Sequence, residues 1–169
     1  MKRILPIALM LALVISGIGI PLLASAQREQ LPPWRIPMPP ARSTAEIVVG
    51  DTPLTVDLAL TSEEQHLGLG YRNGLEPGTG MLFVFPESVD RTFSMRGMRI
   101  CLDIIWIADD EIVAAAESVC PDPEGTELSL GGVYPSPQPV SHVLEMSAGW
   151  MAQNSYGAGT PVRIPDPLG

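Results

Sequence analysis

Alternating apolar and polar residues dominate the middle of the chain and predict β-strands. In "LTVDLAL" the side chains of Leu54, Val56 and Leu58 fall on one face at a period of two. The preceding apolar segment "AEIVVG" is separated from it by the turn-forming residues at positions 51–53. The two segments therefore predict a β-hairpin.

Two short helices are predicted by their capping residues. Thr61 is followed three residues later by Glu64, which is a capping-box pattern, and the helix it starts is expected to run to about residue 71. Ser147 is the predicted cap of a second short helix that ends at Gly157.

The remaining apolar segments predict further strands. "MLFVF" predicts a strand that Pro86 ends, and a long Pro/Gly-rich loop is expected before "VSHVLEM", with "PVRI" as the last strand. Seven or eight short strands and two small helices are typical of the mainly β class. We therefore expect a compact antiparallel β-sandwich, jelly-roll-like or barrel-like domain.

A second hairpin is predicted where two apolar runs, 101–108 and 112–119, flank three acidic residues. Both faces of the first run are apolar, which indicates a central strand covered on two sides. If residues 110–111 form the tip, Cys101 lies opposite Cys120, and the pair is expected to form a disulfide. A bulge would shift this register, and free thiols are the alternative.

The N-terminal segment has the parts of a secretory signal peptide. Lys2 and Arg3 precede an apolar run, and a small-residue "ASA" sequence ends at residue 26. We expect a signal peptide at 1–26, a Pro-rich linker at 27–43 and a single domain at 44–165. The domain is then extracytoplasmic, either secreted or associated with the cell envelope. A membrane is a partner only if the signal segment is left uncleaved as an anchor.

Charge and composition exclude several classes of partner. The chain has 19 acidic residues against 10 basic ones, for a formal net charge of −9. A balance this negative argues against a nucleic-acid-binding surface, which needs basic residues for most of its affinity. With two histidines and two cysteines expected in a disulfide, too few good ligands remain for a zinc site, and no cofactor is predicted.

Three segments, in order and at suitable spacing, carry a family resemblance: "SEEQHLGLGYRNGLEPGTGMLFVFPE", "FSMRGMRICLDIIWI" and "YPSPQPVSHVLEMSAGW". Over about residues 44–164 the chain resembles the domain-of-unknown-function 192 family. The resemblance implies a compact, mainly β and often exported protein, and it implies no established biochemical activity. Where many members read Met-Lys-Asn-Thr and then a proline, this chain has Met-Arg-Gly-Met at 95–98, so the basic position is kept and the amide and hydroxyl are lost.

The candidate site centres on Asp103, an acid in an otherwise apolar strand. An unpaired buried carboxylate is unfavourable, so Asp103 needs donors. One hypothesis is structural: backbone amides or an arginine bind Asp103 and fix the strand connection. The other is functional: Arg96, with Arg99, faces a cleft in which Asp103 orients the guanidinium toward an anion or sugar hydroxyl, with Tyr134 at the rim.

The leading functional hypothesis is a non-enzymatic binding or accessory module of the cell envelope. Its partner would be a small anionic or sugar-like ligand, or an envelope protein, and no catalytic residue is assigned. A hydrolase acting on an envelope glycan is the rival, and it would need two carboxylates from among Asp57, Asp103 and Glu145 to converge. A purely structural interaction domain is the third possibility.

Overall fold

The computed structural model describes residues 42–70, 72–121, 132–166 and 168. The predicted signal peptide and the predicted linker as far as residue 41 lie outside these residues, so both remain predictions. No helix within the described ranges is long and apolar enough to span a bilayer. The elements are, in chain order, β1 (Thr44–Val49), β2 (Thr52–Ala59), α1 (Ser62–Leu67), β3 (Thr79–Val89), β4 (Thr92–Ser94), β5 (Leu102–Ala108), β6 (Glu111–Val119), β7 (Val133–Pro135), β8 (Val140–Ser147), α2 (Trp150–Asn154) and β9 (Val162–Arg163).

Seven strands form one sheet in the order β6-β5-β8-β3-β2-β1-β9, while β4 and β7 form a separate two-stranded sheet. All neighbouring strands are antiparallel except β2 and β3, which are parallel. This pair departs from the expected antiparallel arrangement. A parallel pair needs a long crossover, and the segment from residue 60 to residue 78, which contains α1, supplies it.

The sheet curls until its two edges meet at one end. Glu111, at the start of β6, bridges to Pro161, and the amide of Ile112 donates to the carbonyl of Thr160 at 2.9 Å. The amide of Val162 donates to the carbonyl of Asp110 at 2.7 Å. Contact between the edges leaves fewer backbone groups exposed. The domain is therefore a half-barrel, and the predicted mainly β class with two short helices is confirmed.

Strand β5 is buried along its whole length, as predicted for a central strand. Its alternating side chains enter two apolar clusters on opposite faces of the sheet. Ile105 and Ile107 pack in the cluster that contains α2. Leu102, Ile104 and Trp106 pack in the other. We call these the α2 face and the α1 face, because α1 and the segment after it lie over the second cluster.

Two strand predictions were wrong in detail. Pro86 does not end β3, which continues to Val89, because the pairing with β8 is interrupted between Val84 and Val89. Proline lacks an amide donor and is tolerated where a ladder is interrupted. The short strand β7 lies within the predicted loop and pairs with β4.

The two helices differ in how their first turns are capped. In α1, Thr61 Oγ1 accepts from the amide of Glu64 at 3.2 Å, and Glu64 Oε2 accepts from the amide of Thr61 at 2.9 Å, so the predicted capping box is present. The predicted Ser147 cap of α2 was wrong, because Ser147 is the last residue of β8. Gly149 is the N-cap of α2, no side chain of its own segment caps it, and the helix ends at Asn154 rather than Gly157.

Candidate functional site

A cleft of about 870 Å³ opens on the α1 face of the sheet. Pockets that bind small molecules commonly have this size. One wall is the C-terminal half of α1 with the turn after it, and the other is formed by β4 and the turns on either side of it. The lining residues are Gln65, His66, Leu67, Gly68, Leu69, Gly70, Phe83, Phe85, Asp90, Arg91, Thr92, Phe93, Ser94, Arg96, Gly97, Met98 and Glu145.

Hydrogen bonds from one side chain hold the α1 wall against the sheet. Gln65 Nε2 donates to the carbonyl of Val84 at 2.9 Å and to that of Ala59 at 3.3 Å. Where the two walls meet, a Cβ built on Gly70 would lie 3.4 Å from the carbonyl oxygen of Gly97. That separation is ordinary van der Waals contact, so position 70 lies against the backbone of Gly97.

Aromatic rings from β3 and β4 and an arginine between these strands line the side of the cleft opposite α1. Phe83 and Phe93 pack edge to face with ring centroids 4.9 Å apart. The guanidinium of Arg91 lies 3.9 Å from the centroid of the Phe85 ring, within cation–π range. The backbone of Arg91 is fixed by Ser136, whose Oγ accepts from the Arg91 amide at 2.9 Å and whose amide donates to the Arg91 carbonyl at 2.7 Å.

Glu145 contributes a buried acid to the cleft. It lies in β8 between Met81 of β3 and Ile104 of β5, and it is only 5% exposed. Its Oε2 is buried, and no donor among the described residues reaches it. Burial raises the pKa of this carboxyl to about 8, because an ionised carboxylate would lose its hydration without gaining a partner. Glu145 is therefore mainly neutral at pH 7.

Glu145 is not among the ligand-binding residues predicted from the sequence. It was considered only as a member of a carboxylate pair for a hydrolase. His142, three residues earlier in β8, lies on the α2 face, where its Nδ1 is 2.9 Å from Ser141 Oγ. The available signal was the acid in "HVLEM", a carboxylate at a position whose strand neighbours are apolar.

Of the four predicted ligand-binding residues, Arg96 alone lines the cleft. Its side chain is exposed, in the turn that follows β4. Arg99 is exposed outside the cleft, where its Nη1 donates to Asn73 Oδ1 at 3.3 Å. Tyr134 is half-buried in β7 opposite Phe93 and packs against the α1-face cluster without lining the cleft.

Asp103 points to the α2 face, away from Arg96 and the cleft. It is fully buried, and its Oδ1 accepts from the amides of Ser118 at 2.7 Å and Gly149 at 3.0 Å. Its Oδ2 accepts from the amide of Met151 at 2.8 Å. Asp103 therefore caps the first turn of α2 from a neighbouring strand, as the structural hypothesis for this residue required.

Of the carboxylates considered for a hydrolase, Asp103 is on the face of the sheet opposite to Glu145. Asp57 is on the same face as Glu145 but is separated from it by Met81 of β3, and it forms an ion pair with Arg72. Within the described residues there is also no group of three or more His, Cys, Asp or Glu side chains placed to hold a metal ion.

The predicted disulfide between Cys101 and Cys120 is present, but the β5–β6 strand register that places the two cysteines opposite each other differs from the expected one. The tip of the hairpin is Asp109-Asp110, one residue earlier than expected, and both residues have positive φ, as a type I′ turn requires. Two register shifts in the β5–β6 pair then bring Leu102 opposite Val119, so that the cysteines are the next pair.

Solved structures with the same fold include two bacterial proteins. One, from Sinorhizobium meliloti 1021, is described as a candidate transcription regulator; it is 26% identical, with a TM-score of 0.66 and coverage of 75% of this chain and 97% of the other. The second, from Novosphingobium aromaticivorans DSM 12444, is described as a protein of unknown function; it is 28% identical, with a TM-score of 0.64 and coverage of 75% and 94%. No curated protein gave a significant match. The DUF192 family, described as an uncharacterised ACR, matches residues 45–164, and the chain belongs to this family.

Proposed function

We propose that this protein is a binding module whose small-molecule ligand occupies the cleft on the α1 face. The observation that carries the proposal is Glu145, a buried acid in the lining with a carboxyl oxygen that no described residue satisfies. Buried polar atoms in folded proteins are nearly always hydrogen-bonded. A ligand in the cleft would supply the missing partner.

The charges of the lining favour an anionic ligand. Arg91 and Arg96 provide two guanidinium groups, and Asp90 provides one carboxylate, while the chain as a whole has a net charge of −9. A locally cationic cleft in an acidic protein concentrates small anions. Phe85 and Phe93 add apolar ring faces, which suit the carbon skeleton of a sugar or an organic acid.

Binding is a better match for this cleft than hydrolysis. A paired-carboxylate hydrolase needs a second acid at a defined distance from the first. Asp57 and Asp103, the partners first considered for Glu145, are engaged by Arg72 and by backbone amides respectively. The remaining carboxylate of the lining, Asp90, is exposed in the β3–β4 connection.

The proposed ligand is not a nucleic acid, although one structural neighbour is described as a candidate transcription regulator. That description belongs to the neighbour. Affinity for DNA or RNA depends on neutralising many phosphates with basic side chains. A chain with 10 basic and 19 acidic residues lacks the charge for such a surface.

We place the module outside the cytoplasm. The Cys101–Cys120 disulfide is of a kind that persists in oxidising compartments and is rare in the cytosol. The N-terminal sequence predicts a signal peptide at 1–26, which agrees with export. Secretion and retention at the cell envelope are both consistent with these features.

A thermal-shift screen of neutral sugars, sugar acids, organic acids and amines tests the proposal. The wild type, Arg96→Gln and Arg99→Gln are compared at pH 6.5. The Arg99 variant is the matched control, since it removes an exposed arginine that does not line the cleft. Ligands of the cleft should stabilise the wild type and the control and have a reduced effect on Arg96→Gln. Equal stabilisation of all three proteins, or of none, would contradict the proposal.

A further inference from the structure

We infer that Glu145 binds the ligand as a neutral hydrogen-bond donor, and that the ligand is a small hydroxylated carboxylate of sugar-acid type. This inference rests on the proposed function and assigns the ligand class and the recognition group of the same cleft. It requires Glu145 to stay un-ionised and to direct its hydroxyl toward an acceptor oxygen of the ligand.

The strands around Glu145 favour its neutral form. Its lateral neighbours, Met81 in β3 and Ile104 in β5, are apolar and buried. Neither can donate a hydrogen bond to a carboxylate or offset its charge. A protonated carboxyl in such a position has one O–H to donate, and no described acceptor uses the buried oxygen Oε2.

The charged and titratable groups that share the lining with Glu145 are His66 on α1, Asp90 and Arg91 between β3 and β4, and Arg96 after β4. Arg91 is committed in part, because its Nη2 donates to the carbonyl of Glu87 at 3.0 Å while its guanidinium covers the Phe85 ring. Arg96 has an exposed side chain and, among the described residues, no hydrogen-bond partner. It is therefore the best placed cation for a ligand carboxylate.

A neutral Glu145 and a cationic Arg96 select an anion with hydroxyl groups. Arginine binds the carboxylate of the ligand, and the carboxyl of Glu145 donates to a ligand oxygen. An ionised Glu145 would instead repel the anion and lose its donor. Burial raises the pKa of Glu145 to about 8, so anion binding should weaken as the pH rises above that value.

The test uses glucuronate as the probe and glucose as its uncharged counterpart. Glucuronate keeps the same charge through neutral and alkaline pH, so a change in its affinity reports on the protein. Methyl-labelled methionines serve as NMR reporters that remain visible at alkaline pH. Met98 lines the cleft and Met81 is paired with Glu145, whereas Met151 on the α2 face is the internal control.

The wild type is expected to bind glucuronate at pH 7 at least about tenfold more tightly than glucose, with shifts at Met98 and Met81. Its Kd should rise toward about tenfold per pH unit above pH 8, because one proton is linked to binding. Glu145→Gln keeps a neutral donor, so it should bind at pH 7 within about threefold of the wild type and lose the alkaline decline. Glu145→Leu keeps an apolar core but removes the donor, and it should bind at least about tenfold more weakly.

Several outcomes would overturn the inference while leaving the proposed function intact. Arg96-dependent binding that tightens at pH 9.5, or that Glu145→Gln abolishes, would mean that Glu145 acts as a carboxylate. Tighter binding of glucose than of glucuronate, or Arg96-dependent stabilisation by amines alone, would contradict the anionic ligand class. If neither glucuronate nor any compound of the thermal-shift screen binds, the proposed function itself fails.

Discussion

Asp103 and Glu145 are two buried carboxyl groups on neighbouring strands, and they point to opposite faces of one sheet. Asp103 receives three hydrogen bonds from backbone amides. Glu145 receives none at its buried oxygen from the part of the chain that the structure describes. Burial alone therefore does not separate a structural acid from a candidate binding group, and the number of satisfied acceptors does.

The difference follows from what each face of the sheet has to stabilise. On the α2 face, a helix that starts at Gly149 has no capping side chain of its own, and β6 has an amide at Ser118 released by a register shift. Asp103 accepts hydrogen bonds from the first turn of α2 and from the Ser118 amide. On the α1 face, Gln65 and the capping box hold the helix, and no described residue bonds the buried oxygen of Glu145. The carboxyl of Glu145 is therefore available to a ligand in the cleft.

The largest effect should come from Asp103→Ala. It leaves three amides without an acceptor, of which that of Met151 is buried and those of Ser118 and Gly149 are partly buried. We expect the free energy of unfolding to fall by about 5 kcal/mol, since hydrogen bonds to charged groups are worth ~1.5–3 kcal/mol each. Asp103→Asn, which keeps one acceptor oxygen, should lose about half as much. Urea denaturation at pH 7 measures both, with the exposed Asp166→Ala as control. A loss below about 1 kcal/mol for Asp103→Ala would remove its capping role.

Glu145 predicts a pH dependence of stability with a definite sign. The folded state holds the proton up to about pH 8, whereas the unfolded chain releases it near 4.5. Between these values the folded state binds more protons, so its stability falls as the pH rises. Relative to Glu145→Gln, the wild type should lose about 4 kcal/mol between pH 4.5 and 8.

The difference between these two proteins isolates Glu145 from the other acids. Glu64, for example, has its pKa lowered mainly by the amide of Thr61, so it gives the opposite trend in both proteins. Denaturation curves of the wild type and Glu145→Gln across this pH range provide the measurement. If the difference in unfolding free energy between the two proteins stays constant with pH, Glu145 is solvated or paired in the folded state.

The disulfide next to Asp103 should have the next largest effect. Cys101 and Cys120 close a loop with a sequence separation of 19, and its removal should cost about 3 kcal/mol by the chain-entropy account. The bridge also fixes the β6 segment that supplies the Ser118 amide to Asp103. Double replacement by serine should therefore weaken stability and reduce the further effect of Asp103→Ala. Strict additivity in a double-mutant cycle would show that the bridge and Asp103 act independently.

Local patterns in the sequence predicted much of the architecture. The first hairpin, the capping box at Thr61 and Glu64, and the central position of β5 all follow from periodicity or spacing within a few residues. The disulfide was also correctly predicted, although the expected strand register was wrong. The turn lies one residue earlier than expected, and two register shifts bring Cys101 opposite Cys120 again. Such shifts depend on the twist of the whole sheet and have no short-range signal here.

The site was harder to predict because it depends on which groups meet across the sheet. Sequence proximity placed Asp103 beside the arginines, yet the pleat of β5 turns Asp103 to the face opposite the cleft. The donors to Asp103 come from β6 and from the start of α2, which are distant in sequence. Glu145 enters the cleft through β8, and only the strand order β5-β8-β3 brings it beneath α1. Tertiary pairing of this kind is not encoded in any single segment.

The variant with the smallest expected effect on stability, Arg96→Gln, gives the most direct test of the contrast between structural groups and binding groups. Arg96 is exposed in a turn, so Arg96→Gln should change the free energy of unfolding by less than about 0.5 kcal/mol. Glucuronate binding should nevertheless fall at least about tenfold, because the ligand carboxylate loses its cation. Denaturation and methionine-methyl titration of the same samples separate the two quantities. If Arg96→Gln instead destabilises the fold and leaves binding unchanged, Arg96 belongs with Asp103 among the structural groups, and the cleft must select its ligand by other residues.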